Sequence, residues 1–140
     1  MWGRISTLIM RNTTLEIINQ LKSSKERTVS FFQLGEEDLS KSYGVDKWSV
    51  RQLLHHLADA ESVLYDRVRR IISKPNQVIW GFDQDAWNEG LDYQNTPLDM
   101  NEKIYVSVRD AIINLASKHY VGSEKVEFVH NETGLRTLKD

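Results

Sequence analysis

The chain has 140 residues, a formal net charge of -2 and no cysteine; 40% of its residues are hydrophobic and 27% are charged. These values are typical of a single globular domain, and they exclude disulfides, thiolate metal ligands and a cysteine nucleophile. Because lysine and arginine are not clustered and no apolar run approaches the ~20 residues of a membrane span, we expect neither nucleic acid nor membrane as a partner, and a cytoplasmic location.

A first helix is predicted from about Thr14 to Phe32. Its apolar side chains recur at helical spacing, which is typical of an amphipathic helix. They are Ile17, Ile18, Leu21, Val29 and Phe32. The preceding segment MWGRISTLIM is too short and too polar for a signal peptide, and Met10 begins a segment suited to start a helix. We therefore expect one domain that spans residues 1–140, with residues 1–9 as a leader.

A second helix is predicted from Ser49 to about Ser73. It follows the connection LGEEDLSKSYGVD, which contains two glycines and several polar residues. Ser49 directly precedes the apolar periodicity and Gln52 stands three residues later, which is the spacing of a capping box. The helix is expected to end at Pro75, since the residue before a proline disfavours the helical conformation.

The segment WGFDQDAWNEGLDYQNTP is predicted to be a long irregular excursion with one short helical turn. A third helix is predicted from about Leu98 to His119. Its expected buried stripe consists of Ile104, Val108, Ala111, Ile112 and Leu115. In the tail, a turn is predicted at Thr133-Gly134, and the pair Thr137-Leu138 could open a further helix.

The second helix carries the residues that bear most on function. At about 100° per residue, one apolar arc of this helix is expected to face the core. It contains Val50, Leu53, Leu54, Leu57, Leu64, Val68 and Ile71. His55 falls nearly opposite the centre of the arc and His56 towards its edge, so only His56 is predicted to look into the bundle. Glu61 projects inside the arc, where a carboxylate requires a partner, and Asp59 lies on the polar side within reach of either histidine.

Two interpretations of His56 remain open at this point. It is either a half-buried histidine that is hydrogen-bonded to a neighbour, or a metal ligand. A catalytic metal site needs about three protein ligands. His119 and His130 have no helical spacing to His56, so the residues alone leave such a site incomplete.

The aromatic and acidic residues near the second helix also allow two interpretations. Asp83 and Asp85, together with Trp87, either line the mouth of a pocket or form a helix cap followed by a tryptophan that packs on the bundle. Trp48 either packs just before the helix start or borders the same pocket.

Three segments, in this order and spacing, resemble the DinB-like (YfiT-like) superfamily of metal-dependent enzymes. They are Trp48-Ser49-Val50-Arg51, His56-Leu57-Ala58-Asp59-Ala60-Glu61 and Phe82-Asp83-Gln84-Asp85-Ala86-Trp87. The tail is similar to the family's segment that leads into its last helix: it has Phe128-Val129-His130, Gly134 and Thr137-Leu138, with Asn131 where the family usually has proline. The resemblance covers the chain from about Met10 onward.

This resemblance implies an all-α fold, a four-helix bundle with a long crossover, and a divalent metal held by three histidines. Zinc and nickel are the expected ions. By position, His56 matches the family's ligand on the second helix. The other two ligands form an HxxxH pair on the last helix, and residues i and i+4 can direct both imidazoles at one ion. The 140 residues end before that helix, so the last helix is expected to be largely missing and the activity impaired.

The resulting hypothesis is a metal-dependent enzyme of the thiol S-transferase or hydrolase type, with a small-molecule or thiol substrate. His56 is the predicted metal ligand, and the catalytic residues are not identified. The predicted substrate pocket consists of Trp48, Asp59, Glu61, Asp83, Asp85 and Trp87. The alternative is a non-catalytic helical interaction protein that self-associates, as a homodimer, through the apolar faces that the last helix would cover.

Overall fold

The computed structural model describes residues 2–140, with side chains from Thr14 onward. Five helices and three short strands are defined in this range. In chain order they are α1 (Trp2–Phe32), α2 (Glu36–Leu39), α3 (Val50–Ser73), β1 (Val78–Ile79), α4 (Gln84–Gly90), α5 (Asp99–His119), β2 (Glu127–His130) and β3 (Gly134–Thr137). The long helix α5 packs against both α1 and α3. The predicted all-α class is confirmed, with the small sheet as a minor addition.

The helix boundaries agree closely with the local signals in the sequence. Ser49 caps α3 by a complete capping box: its hydroxyl accepts the amide of Gln52 at 3.3 Å, and the Gln52 side chain accepts the amide of Ser49 at 2.7 Å. The predicted span of α5 is also confirmed, with Leu98 at its N-cap. α1 extends further towards the N-terminus than predicted. The proposed leader, residues 1–9, lies outside the described side chains and stays a prediction.

The main core lies where α1, α3 and α5 meet near the first turns of α3. Its buried side chains come from the three long helices, from α2 and from the N-cap of α5. They are Phe32, Leu39, Leu54, Ala58, Leu98 and Tyr105. Phe32 and Tyr105 contact each other with ring centroids 5.8 Å apart. This cluster fixes the end of α3 that carries the two histidines.

The predicted apolar arc of α3 is confirmed at Leu54 and Ile71 and is wrong at Leu53, Leu57 and Leu64. The residues that face the core are Leu54, His55, Ala58, Glu61 and Ile71. By contrast, Leu53, Leu57 and Leu64 are 37%, 37% and 40% exposed. The physical reason is that α3 is apolar on two sides, and the predicted arc combined both. The side that packs on α5 is instead built around the small residue Ala58 and two polar side chains that find partners.

A smaller correction applies to α5. Ile104 was predicted to be buried but is 36% exposed, whereas the adjacent Tyr105 is 1% exposed. The guanidinium of Arg109 lies 5.4 Å from the centre of the Tyr105 ring. The large aromatic ring therefore occupies the core position that the periodicity assigned to its neighbour.

The predicted helix start at Thr137-Leu138 was also wrong, because the tail forms a β-hairpin. β2 and β3 pair antiparallel across the predicted turn at Thr133-Gly134, which is confirmed, and Gly134 has a φ of 78° that favours glycine. β1 pairs parallel with β2, with Val78 opposite Val129. The strand order in the sheet is β1-β2-β3, so the start of the excursion is hydrogen-bonded to the tail.

The predicted short helical turn in the excursion is present as α4, which has seven residues. The excursion thus returns along α3 and brings α4 close to the first turns of that helix. No helix in the described part of the chain is long and apolar enough to cross a membrane.

Candidate functional site

A cleft with a volume of about 440 Å³ lies beside the N-terminal end of α3. The loop before α3 forms one wall and the start of α4 forms the other. The lining residues are Tyr43, Asp46, Lys47, Trp48, Leu53, His56, Gln84 and Asp85. The cleft combines aromatic walls with charged groups of both signs, which is the composition expected of a site for a small polar ligand.

His56 lies at the aromatic end of this cleft. The ring of Trp48 contacts it edge to face, with centroids 5.3 Å apart, and Phe82 stacks on it at 6.0 Å. Trp87 packs on Phe82 at 4.8 Å and so supports the stack from α4. The Nδ1 atom of His56 is buried and has no hydrogen-bond partner among the described residues. A buried polar atom without a partner is costly, and it marks a position where a ligand would be stabilised.

The electrostatic surroundings favour a neutral His56 ring. Burial lowers the pKa of His56, and the nearby carboxylates of Asp59 and Asp85 only partly oppose this shift. A neutral imidazole keeps a free lone pair at neutral pH, which is the form that binds a metal ion or accepts a proton.

His55 is the more deeply buried of the two histidines, at 1% exposure, and both of its ring nitrogens are used. Its Nε2–H group donates to the carbonyl of Thr96 at 2.9 Å, and the side-chain amide of Asn101 donates to its Nδ1 at 2.9 Å. Burial lowers the pKa of His55 as well. The prediction that His56 rather than His55 faces inward was therefore wrong: His55 joins α3 to α5, and His56 lies on the cleft side.

Asp59 binds a tyrosine rather than an imidazole. The hydroxyl of Tyr93 donates a short hydrogen bond to Asp59, and the Tyr93 ring stacks on His55 with centroids 5.1 Å apart. Tyr93 is 2% exposed, and burial, reinforced by Asp59, raises its pKa. Asp59 was predicted to border the substrate pocket, but its contacts place it in the packing between α3 and the segment before α5.

Glu61 was predicted to need a partner, and this expectation is confirmed. Its carboxylate is 6% exposed and accepts two hydrogen bonds from Arg109, one of them from Nε at 2.8 Å. Arg109 also donates to the hydroxyl of Ser24 at 2.9 Å, so the pair links α1, α3 and α5. Glu61 is therefore buried between the helices and does not line the cleft.

Asp83 and Asp85 take different roles: one caps a helix and the other borders the cleft. The carboxylate of Asp83 caps α4 by accepting the amides of Asp85 at 3.1 Å and Ala86 at 3.0 Å. Asp85 lines the cleft, and Trp87 packs behind Phe82. Of the six predicted pocket residues, only Trp48 and Asp85 line the cleft directly.

Several residues that form the cleft were missed by sequence reasoning. Tyr43, Asp46 and Lys47 lie in the connection before α3, and Gln84 opens α4. In an irregular segment, neither apolar periodicity nor a capping pattern predicts where a side chain will lie. The only signal in the sequence was that Asp46 and Lys47 stand close to the start of α3.

The described residues do not fit a complete metal site. Among them, no group of three His, Asp or Glu side chains lies close enough to hold a metal ion. His56 offers one imidazole with an unpartnered nitrogen, and Asp85 borders the same cleft. A catalytic metal site needs about three protein ligands, so these two side chains do not complete one.

The fold and the cleft define a helical-bundle domain with one histidine presented beside an aromatic cleft. The sequence model of the DinB superfamily matches residues 20–119 of the chain. The chain therefore belongs to the DinB superfamily.

Two relatives and one solved structure give further comparisons. A protein of Oceanobacillus iheyensis named "Putative metal-dependent hydrolase OB0413" is 30% identical over 72% of this chain and 58% of its own length. A second protein of that organism, "Putative metal-dependent hydrolase OB0782", is 30% identical over 94% of this chain and 74% of its own length. The match thus spans less than two thirds of the first relative and about three quarters of the second.

The structure also resembles that of YfiT from Bacillus subtilis, which is described as "a probable metal-dependent hydrolase with an unusual four-helix bundle topology". The TM-score is 0.75 over 91% of this chain and 73% of the YfiT chain, at 21% sequence identity. This similarity supports the predicted bundle architecture.

Proposed function

We propose that the chain forms the substrate-binding part of a metal-dependent hydrolase, and that the cleft beside His56 is its reaction site. The observation that carries this proposal is the buried Nδ1 of His56, which faces no hydrogen-bond partner in the described structure. The names of the relatives support the hydrolase class. In this proposal His56 supplies one ligand to a divalent ion, with zinc or nickel as the expected metal.

The chemistry assigned to each residue follows from its position. A bound divalent ion would polarise a substrate group or activate water. Trp48 and Phe82 hold the His56 ring in a fixed orientation, and Asp85 and Lys47 present opposite charges to a small polar substrate in the cleft. The proposal includes thiol transfer as an alternative reaction to hydrolysis. It also includes a cytoplasmic location.

A titration with Zn²⁺ or Ni²⁺, followed by the NMR signals of the four histidine rings, tests the role of His56. We expect the His56 signals to shift most and His56→Ala to weaken binding by roughly tenfold or more, as the loss of a ligand requires. His119→Ala is the matched control, since His119 lies exposed at the end of α5. Equal effects of the two substitutions, or unchanged His56 signals at saturating metal, would contradict the proposal.

A second candidate function is supported by the exposure of Leu53, Leu57 and Leu64 on α3. Apolar side chains in a row on a soluble protein indicate an interaction surface. In this alternative the chain is a non-catalytic, self-associating helical protein. It predicts firm association without any metal signal, whereas the hydrolase proposal predicts metal binding that depends on His56.

A further inference from the structure

A second cavity, with a volume of about 260 Å³, lies between the C-terminal half of α3 and the segment of β1. We call it the Arg67 pocket. Helix α3 contributes Asp66, Arg67 and Arg70 to its lining, and Trp80 contributes from the residue after β1. Arg67 stands eleven residues after His56 on α3, which corresponds to about 16 Å along the helix axis at 1.5 Å per residue. The Arg67 pocket is therefore separate from the cleft beside His56, and the proposed hydrolase reaction does not use it.

The charges that line the Arg67 pocket do not cancel. Asp66 accepts a hydrogen bond from Nε of Arg70 at 2.6 Å, so these two charges compensate each other. Arg67 makes no ion pair in the described part of the chain. The carboxylate of Glu132 lies against Gly81, next to Trp80, but forms no ion pair with Arg67 there either. Among the described residues, the pocket thus has one positive charge in excess.

The guanidinium of Arg67 is held in this position with few of its donors used. An arginine has five N–H donors, and Arg67 donates to the backbone carbonyl of Trp80. Its Nε atom is buried and has no hydrogen-bond partner among the described residues. A cation that is withdrawn from water without a counter-charge is destabilised, so the binding of an anion beside it is favoured. The hydrogen bond to Trp80 also fixes where the guanidinium lies before any ligand binds.

Apolar side chains border this charge. Trp80 is 71% exposed and Val78 is 55% exposed, and Val63 lines the pocket from α3. An exposed indole beside a guanidinium offers a ligand both an apolar surface and a charged partner. The volume lies just below the range of ~300–1,000 Å³ that is usual for drug-sized ligands, which indicates a smaller molecule.

We propose that the Arg67 pocket binds a small carboxylic acid with an apolar or aromatic body. The carboxylate accepts hydrogen bonds from the guanidinium of Arg67, whose planar fork of donors matches the geometry of a carboxylate. The body of the ligand packs against Trp80 and Val78 and removes part of their apolar surface from water. The proposal is independent of the hydrolase function, because it uses no metal and no residue of the cleft.

A titration with sodium benzoate, followed by the NMR signal of the Trp80 indole N–H group, tests the site. Trp80→Phe identifies that signal by its loss. We expect a saturable shift, and Arg67→Gln to raise the dissociation constant of benzoate by roughly tenfold or more, since a hydrogen-bonded charge is removed. Arg69→Gln is the matched control and should leave the affinity unchanged, because the Arg69 guanidinium lies 5.0 Å from the centre of the Tyr65 ring and does not line the pocket. A shift that does not saturate, or equal losses from the two arginine substitutions, would overturn the proposal.

The choice of probe separates the carboxylate from the apolar body without any change to the protein. Benzamide has the same ring without the charge, acetate has the carboxylate without the ring, and inorganic phosphate has charge alone. We expect each to bind more weakly than benzoate, by roughly tenfold or more for benzamide. Benzamide that binds as tightly as benzoate would exclude the role of Arg67, and phosphate that does so would show that the pocket selects charge rather than a carboxylic acid with an apolar body.

Two further substitutions assign these preferences to particular side chains. Arg67→Lys keeps the charge but removes the planar fork, so its affinity for benzoate should fall between those of the unsubstituted protein and Arg67→Gln. Trp80→Ala should reduce the advantage of benzoate over acetate, measured by signals of the ligand. Thermal melts of every variant identify any loss of folding. An unchanged preference for benzoate in a folded Trp80→Ala protein would refute the packing of the ligand on Trp80.

Discussion

His55 and His56 are adjacent on α3, yet their surroundings give them different roles. His55 is held between Thr96 and Asn101 and has no free nitrogen, so it serves packing between helices. His56 is held only by ring contacts with Trp48 and Phe82, and its Nδ1 has no partner among the described residues. A rotation of about 100° between consecutive residues of a helix is enough to move an imidazole from the core to the cleft.

Acid should destabilise the fold through His55. Its folded-state pKa is lowered by burial, so the unfolded chain binds the proton more readily, and stability is lost as the pH falls from about 6.5 towards the lower folded pKa. Protonation of Nδ1 would also remove the hydrogen bond that Asn101 donates to it. We expect the free energy of unfolding, measured in urea, to decline between pH 7 and pH 5, and to decline less in His55→Gln. Parallel curves for the two proteins would exclude His55 as the source.

Glu61 and Arg109 form a buried ion pair whose disruption should be costly. Glu61→Gln leaves the guanidinium of Arg109 without its charged partner, and we expect a loss of about 3–5 kcal/mol in unfolding free energy. A double variant, Glu61→Leu with Arg109→Met, removes both charges and should recover most of that loss. The exposed pair of Lys25 and Asp110, 2.6 Å apart, is the matched control, and Asp110→Asn should cost about 0–1 kcal/mol.

The long helices could be predicted from local signals, whereas the hairpin could not. The capping box at Ser49 and the proline at residue 75 define α3 by contacts within a few residues. The strands are different, because β2 forms partly by pairing with Val78-Ile79, about 50 residues earlier in the chain. Short strands depend on such distant partners more than on their own composition.

The candidate site could be predicted only in part, for a related reason. His56 and Asp85 were identified from the resemblance and from local patterns, but the orientation of α3 was not. Apolar periodicity shows which sides of a helix are apolar. When a helix has two apolar sides, periodicity does not show which of them packs in the core. The core side of α3 also includes His55 and Glu61, whose burial depends on Asn101 and Arg109 from α5. No property of α3 alone contains that information.

The orientation of α3 can be tested with two adjacent leucines. Leu54 is 3% exposed and belongs to the core cluster, so Leu54→Ala should cost about 2–5 kcal/mol in unfolding free energy. Leu53 is 37% exposed, and Leu53→Ala should cost less than about 1 kcal/mol in the monomer. Urea denaturation at low protein concentration measures both. Similar losses would show that both sides of α3 are packed in solution.

At the scale of the whole molecule, α5 packs against both α1 and α3, and the side of α3 that carries Leu53, Leu57 and Leu64 is left partly open to solvent. The excursion and α4 cover its N-terminal end around His56, and the sheet lies near its C-terminal end. Between these two ends, Leu57 and Leu64 are 37% and 40% exposed. The open surface and the candidate metal ligand therefore lie on the same side of one helix, so whatever covers this face also approaches His56.

A chain extended beyond Asp140 by an amphipathic helix with two histidines four residues apart tests that connection. If the added helix covers the side of α3 that carries the three exposed leucines, burial of a few hundred Å² at about 25 cal/mol per Å² should contribute on the order of 5–10 kcal/mol. This is an upper estimate before the cost of ordering the helix. We expect the extended chain to melt at a higher temperature, to remain monomeric and to bind one Zn²⁺ in a manner that requires His56. The same extension with both histidines replaced by alanine should keep the thermal stabilisation and lose the metal binding. An extended chain that melts no higher and still dimerises would show that an added helix does not cover this face.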